Sequence, residues 1–74
     1  MRKVNAIIER ASDGSYSIYS DADDLSYLIT GTGKTVAEAK KYFEGGYEDM
    51  RRHYQKIGKP FTEVEMVYKY DMAS

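Results

Sequence analysis

Seventy-four residues with one histidine and no cysteine exclude disulfide staples, thiolate metal sites and any histidine-rich cluster. A formal net charge of −1 argues against a broad electrostatic grip on nucleic acid, though a local basic patch stays open. The apolar run of MRKVNAIIER stops at Ile8 and meets Glu9, too short for a signal-peptide core, and no other stretch could span a bilayer. A single cytoplasmic domain with no membrane contact and no cofactor is expected. It lies near the small end of what folds alone.

Val4, Ala6 and Ile8 alternate with Asn5, Ile7 and Glu9, which predicts a strand. Asp13-Gly14 supplies a hairpin signal, because glycine accepts the positive φ of a tight turn. SYSIYS is then a second strand, with Tyr16 and Ile18 on one face and Ser17 and Tyr19 on the other. DADD reads as a polar turn and LSYLIT, residues 25–30, as a short third strand. Asp21, Asp23 and Asp24 miss the calcium-loop spacing, since Leu25 and Ser26 stand where further ligands and glycine belong.

GTGKT, residues 31–35, looks like a phosphate loop. That loop needs a glycine five residues before its GK, to open the turn whose amides wrap phosphates. Position 28 is Leu. The glycines are read as a turn and Thr35 as a helix cap, with Glu38 three residues on completing a capping box.

From there Val36, Ala39, Phe43, Tyr47, Met50, Tyr54 and Ile57 form one helical stripe, closed by Gly58 and Pro60. A helix of about 22 residues spans ~33 Å, against ~20 Å for a six-residue strand. Its second half should overhang the sheet, leaving Met50, Tyr54 and Ile57 as contact surface. Gly45-Gly46 inside the helix costs up to ~1 kcal/mol per glycine against alanine, so a kink or a close backbone neighbour is expected.

Last, TEVEMVYKY sets Val64, Met66, Tyr68 and Tyr70 against Glu63, Glu65, Val67 and Lys69, the clearest strand in the chain. The order is β-β-β-α-β. A three-stranded antiparallel meander, followed by a crossover to a strand parallel to the first, gives an α+β fold in spatial order 3-2-1-4 with the helix on one face. The other face should carry Ile7, Tyr19, Tyr27 and Val67, a mixed apolar and aromatic surface suited to a partner. The run RRHYQKIGK offers Arg51, Arg52, Lys56 and Lys59 as possible phosphate contacts, and is equally readable as a solvated helix face.

The helix start Gly33-Lys34-Thr35-Val36-Ala37-Glu38-Ala39 fits the G-x-T-x-x-E-A pattern of HicB-type antitoxins, and VNAIIERASDGSYSIYSDADDL resembles their first hairpin. The resemblance covers nearly the whole chain. It implies a partial, degenerate RNase H-like fold, no catalytic activity, and a homodimer that binds and occludes a HicA-type mRNA-cleaving toxin. Asp21, Asp23, Asp24, Glu63 and Glu65 would complement a basic partner. Family members commonly add a DNA-binding segment for autoregulation, so DNA is expected as a partner only if such a segment follows Ser74. Two other readings compete with this one. A metal-dependent nuclease remnant would lean on Glu38 and Asp71, and a small nucleic-acid-binding module would use the basic run.

Overall fold

A computed structural model describes residues 1–71. β1 (Arg2–Arg10), β2 (Tyr16–Asp21), β3 (Thr30–Gly33), α1 (Val36–Ile57) and β4 (Val64–Asp71) follow in chain order. The four strands form one mixed sheet in order β3-β2-β1-β4, antiparallel except for the parallel β1–β4 pair. This is the expected α+β arrangement. No described helix is long and apolar enough to cross a membrane.

The first hairpin closes as its residues dictate. Gly14 takes φ 87°, and its N–H donates to the Ala11 carbonyl at 3.0 Å. The Asp13 carboxylate accepts from the Ser15 amide at 2.9 Å and the Ser15 hydroxyl at 2.6 Å. Those two donors hold its pKa below the ordinary aspartate value.

β3 begins later than the sequence suggests. Residues 25–29 alternate like a strand, with Tyr27 and Ile29 buried and Leu28 exposed. Only the last of them touches the ladder: Ser20 N–H donates to the Ile29 carbonyl, and the Ser20 hydroxyl accepts the Ile29 amide, both at 3.0 Å. Ser20 is buried and spends its polar atoms on this junction. The strand proper is Thr30-Gly31-Thr32-Gly33, so two glycines read as a turn belong to a strand.

Their role is clearance. A Cβ on Gly31 would lie 2.4 Å from the Phe43 amide nitrogen and 2.7 Å from the Ala39 carbonyl oxygen. One on Gly33 would lie 2.7 Å from the Ala39 nitrogen. The helix backbone therefore rests directly on β3, with Ala39 and Phe43 fully buried below it. Gly46 has Ile29 and the Thr30 carbonyl within 3.4 and 3.5 Å of a built Cβ, whereas Gly45 faces open space. Gly46 thus packs at ordinary contact distance, and neither glycine of the pair is required by close backbone approach.

Thr35 caps α1, its hydroxyl accepting the Glu38 amide at 3.1 Å. The Glu38 carboxylate reaches one residue further back than a capping box requires and accepts from Lys34 N–H at 3.2 Å. At the other end Gly58 adopts φ 72°, and Lys59 N–H donates to the Tyr54 carbonyl at 3.0 Å. This is the Schellman closure that a glycine in this position permits.

Candidate partner-binding surfaces

Two faces of the sheet meet different fates. On the helix face Val4, Ala6, Ile8 and Ile18 are buried and join Phe43, Ala39, Ile29 and Tyr27 in the core. The overhanging half of α1 is covered after all, by the chain's own connections. Tyr27 stacks on Phe61 with centroids 4.8 Å apart, and Tyr47 and Tyr54 meet both rings edge-on at 5.3–6.4 Å. The Tyr27 hydroxyl donates to the Thr62 carbonyl at 2.7 Å. Burial pushes its pKa up to about 12.

Three expected contact residues are thereby corrected. Tyr27 lies on the helix side, 7% exposed, because the chain leaves the sheet after β2 and passes under the overhang. Tyr54 and Met50 pack against the same cluster, with Tyr54 also bonded to the Ser26 hydroxyl at 2.9 Å. Ile57 alone of that helical trio stays open, at 47% exposure.

The opposite face keeps the expected pattern for the other three. The register sets Ile7 beside Tyr19 on one side and Lys69 on the other, and sets Asn5 between Asp21 and Val67. Ile7, Tyr19 and Val67 are half-buried by their neighbours alone. The helix packs on the other side of the sheet, and no described strand or helix lies over these three. The Tyr19 phenol bonds to Glu9, which with partial desolvation raises its pKa. Glu9, Asp21, Glu65 and Asp71 share this face with Lys3 and Lys69, as the pairing register requires.

A second concavity runs between α1 and β4. It is a groove of ≈ 330 Å³ lined by Phe43, Glu44, Tyr47, Glu48, Val64, Met66 and Tyr68. The Tyr68 hydroxyl donates to Glu44 at 2.8 Å. Burial first, and that carboxylate second, push its pKa well above the ordinary tyrosine value. Lys40 lies 4.6 Å over its ring. At the groove's far end the Tyr47 hydroxyl accepts Val64 N–H at 3.0 Å and donates to the Val64 carbonyl at 3.3 Å. The sequence held a signal for this groove that the strand reading passed over: Glu44 and Glu48, four apart, flank Phe43 and Tyr47 on one edge of the helix.

The charged residues divide in the same way. Arg51 bonds Glu63 at 2.6 Å and Glu48 at 3.4 Å and lies over the Tyr47 ring. It fastens the helix to the start of β4 rather than standing ready for phosphate. Arg52, Lys56 and Lys59 are exposed, as are Asp21, Asp23 and Glu65. Asp24 is paired with Arg2, which holds its pKa down. Of the five acids expected to meet a basic partner, Asp24 and Glu63 are thus already engaged within the chain. Among the described residues no three His, Asp or Glu side chains gather as a metal site. Compared with known proteins, the chain matches no family model, no curated protein and no solved structure.

Proposed function

We propose that this domain is an antitoxin-like binding module that occludes a small basic ribonuclease of the HicA type. One observation carries the reading: a sheet face bearing Ile7, Tyr19 and Val67 has no cover from the described chain, although the same chain covers every buried position on the opposite face. Half-buried aliphatic and tyrosine side chains ringed by polar groups are the composition of a protein-binding patch. Glu9, Asp21 and Glu65 around them supply charge that would speed and orient a basic partner's approach. The helix-start motif at residues 33–39 is used here as a cap and a close-packing device, a structural use that an occluding protein with no chemistry of its own needs. Inhibition would be geometric: the sheet face covers the surface by which the toxin holds RNA.

The test is co-expression with a small basic ribonuclease of the HicA type. The expected result is one co-eluting complex and suppressed RNA cleavage, both lost with Ile7→Asp while circular dichroism of the free variant is unchanged. Two separately eluting species with undiminished cleavage would overturn the proposal.

A further inference from the structure

β4 is an edge strand of eight residues, Val64–Asp71, paired with β1 on one side only. An unpaired edge of this length is a template for another strand, and proteins usually blunt it with proline, a bulge or a short span. Neither proline nor glycine interrupts Val64–Asp71. The opposite edge, β3, has only four residues. The strand's own polar atoms show where pairing is available. Val64 turns its N–H and C=O to the Tyr47 hydroxyl, hence away from β1. Alternation then directs the N–H and C=O of Met66, Tyr68 and Tyr70 to the same free edge.

We infer that this edge pairs with β4 of a second copy of the chain, antiparallel about a two-fold axis through Val67, to make a continuous eight-stranded sheet. The choice of register follows from charge. With Val67 facing its own copy, Glu65 of each chain lies opposite Lys69 of the other, while Met66 and Tyr68 form the hydrogen-bonded pairs. Centring on Tyr68 instead sets Glu65 against Asp71, and centring on Met66 leaves Glu65 opposite Val67, with Lys69 facing only Glu63, which Arg51 already engages. Directly opposed unlike charges stabilise an antiparallel pair and like charges oppose it, so Glu65 and Lys69, two of the strand's three charged side chains, favour the Val67-centred register. Just outside it, Glu63 would face Asp71, and Arg51 already neutralises Glu63. Beyond Val64, whose edge groups the Tyr47 hydroxyl occupies, the helix does not obstruct the approach. The glycine contacts hold it down on β3, and over β4 stands the groove lined by Met66 and Tyr68. The pairing would also join the two open faces through Val67, doubling the patch of Ile7 and Tyr19. It is independent of what that patch binds.

Three measurements on the full chain test it. Sedimentation across a concentration series should show a reversible dimer. Glu65→Lys alone and Lys69→Glu alone should each weaken it by roughly tenfold at low salt, whereas an equimolar mixture of the two variants should associate as the wild type does. Because the chain has no cysteine, Val67→Cys gives a direct register check. Residues facing across a non-hydrogen-bonded position lie ~4.5 Å apart at Cα, within disulfide reach. That variant should oxidise to a covalent dimer, and Thr32→Cys on the same face should not. A wild type that stays monomeric at 0.1 mM (a test concentration of about the usual scale for weak dimers) would overturn the inference. So would a dimer indifferent to both charge reversals, or one cross-linked equally well through position 32.

Discussion

The two faces of this sheet draw on the same side-chain types and end in opposite states. Behind the helix, Tyr27 stacks on Phe61 under the edges of Tyr47 and Tyr54, and its hydroxyl finds the Thr62 carbonyl. In front, Tyr19 lies beside Ile7 with Glu9 for its hydroxyl and no described strand or helix above it. A tyrosine is therefore not itself a mark of a docking surface. What separates the two is whether the backbone supplies a second layer, and here one helix and two connections supply it on one side only.

That contrast breaks most visibly at Phe43. It is among the largest fully buried side chains, and Phe43→Ala should cost ~3–5 kcal/mol. A chain of this length holds roughly 4–11 kcal/mol in all at the usual per-residue figure. Urea melts should find that variant's midpoint sharply lowered, while Val67→Ala melts close to wild type. Gly31→Ala comes next. A methyl pressed to 2.4 Å from the Phe43 nitrogen forces the helix off β3, at ~1–3 kcal/mol or more, and thermal melts should show it. Gly45→Ala, with no neighbour within 4 Å of a built Cβ, should instead stabilise slightly by removing a helical glycine.

These glycines also show what the sequence could and could not reveal. Alternation placed β1 and β4 because one side of each faces a core, and the cap residues bounded the helix at Thr35 and Gly58. Strand order followed from connectivity. Gly31 and Gly33 looked like a turn because glycine is poor in strands, yet their spacing of two, the period of one strand face, was visible all along. Tyr27 lies on the opposite face from the one its alternation suggests, because residues 25–29 alternate without belonging to the ladder. The cover over Met50 and Tyr54 was invisible for a related reason: Phe61 lies in a connection with no period, so nothing local tells which way it points. Arg51 likewise resembled a member of a basic run until its partner, Glu63, was placed beside it by the fold.

The tyrosines behind the helix should carry the larger alkaline response. Burial raises the pKa of Tyr27 from 10.0 to about 12, and Tyr68 is raised as well. A raised value means that the folded state holds the phenolic proton more tightly than the unfolded chain. The stability this contributes is complete below about pH 10, the usual tyrosine value, and fades as pH climbs through the folded value. Alkaline titration followed by tyrosinate absorbance should therefore show a late class of tyrosines ionising together with loss of structure near pH 12. Tyr27→Phe removes one late ionisation. At neutral pH that variant should lose about 1 kcal/mol with the hydrogen bond to Thr62.

The smallest expected effect on stability sharpens the comparison most. Ile7→Ser exchanges a half-buried side chain that only its sheet neighbours shelter, so the free domain should lose no more than ~1 kcal/mol. Ile8→Ser, one residue on, turns a hydroxyl into the fully buried core and should cost several times as much. If the open face exists to be covered, the ranking must reverse in a binding assay. Ile7→Ser should then weaken partner capture by an order of magnitude or more, as loss of a central apolar contact does. Ile8→Ser, measured under conditions where it remains folded, should leave capture nearly intact. Equal effects of the two substitutions on capture would mean that binding reports only on folding, and the distinction between the two faces would carry no function.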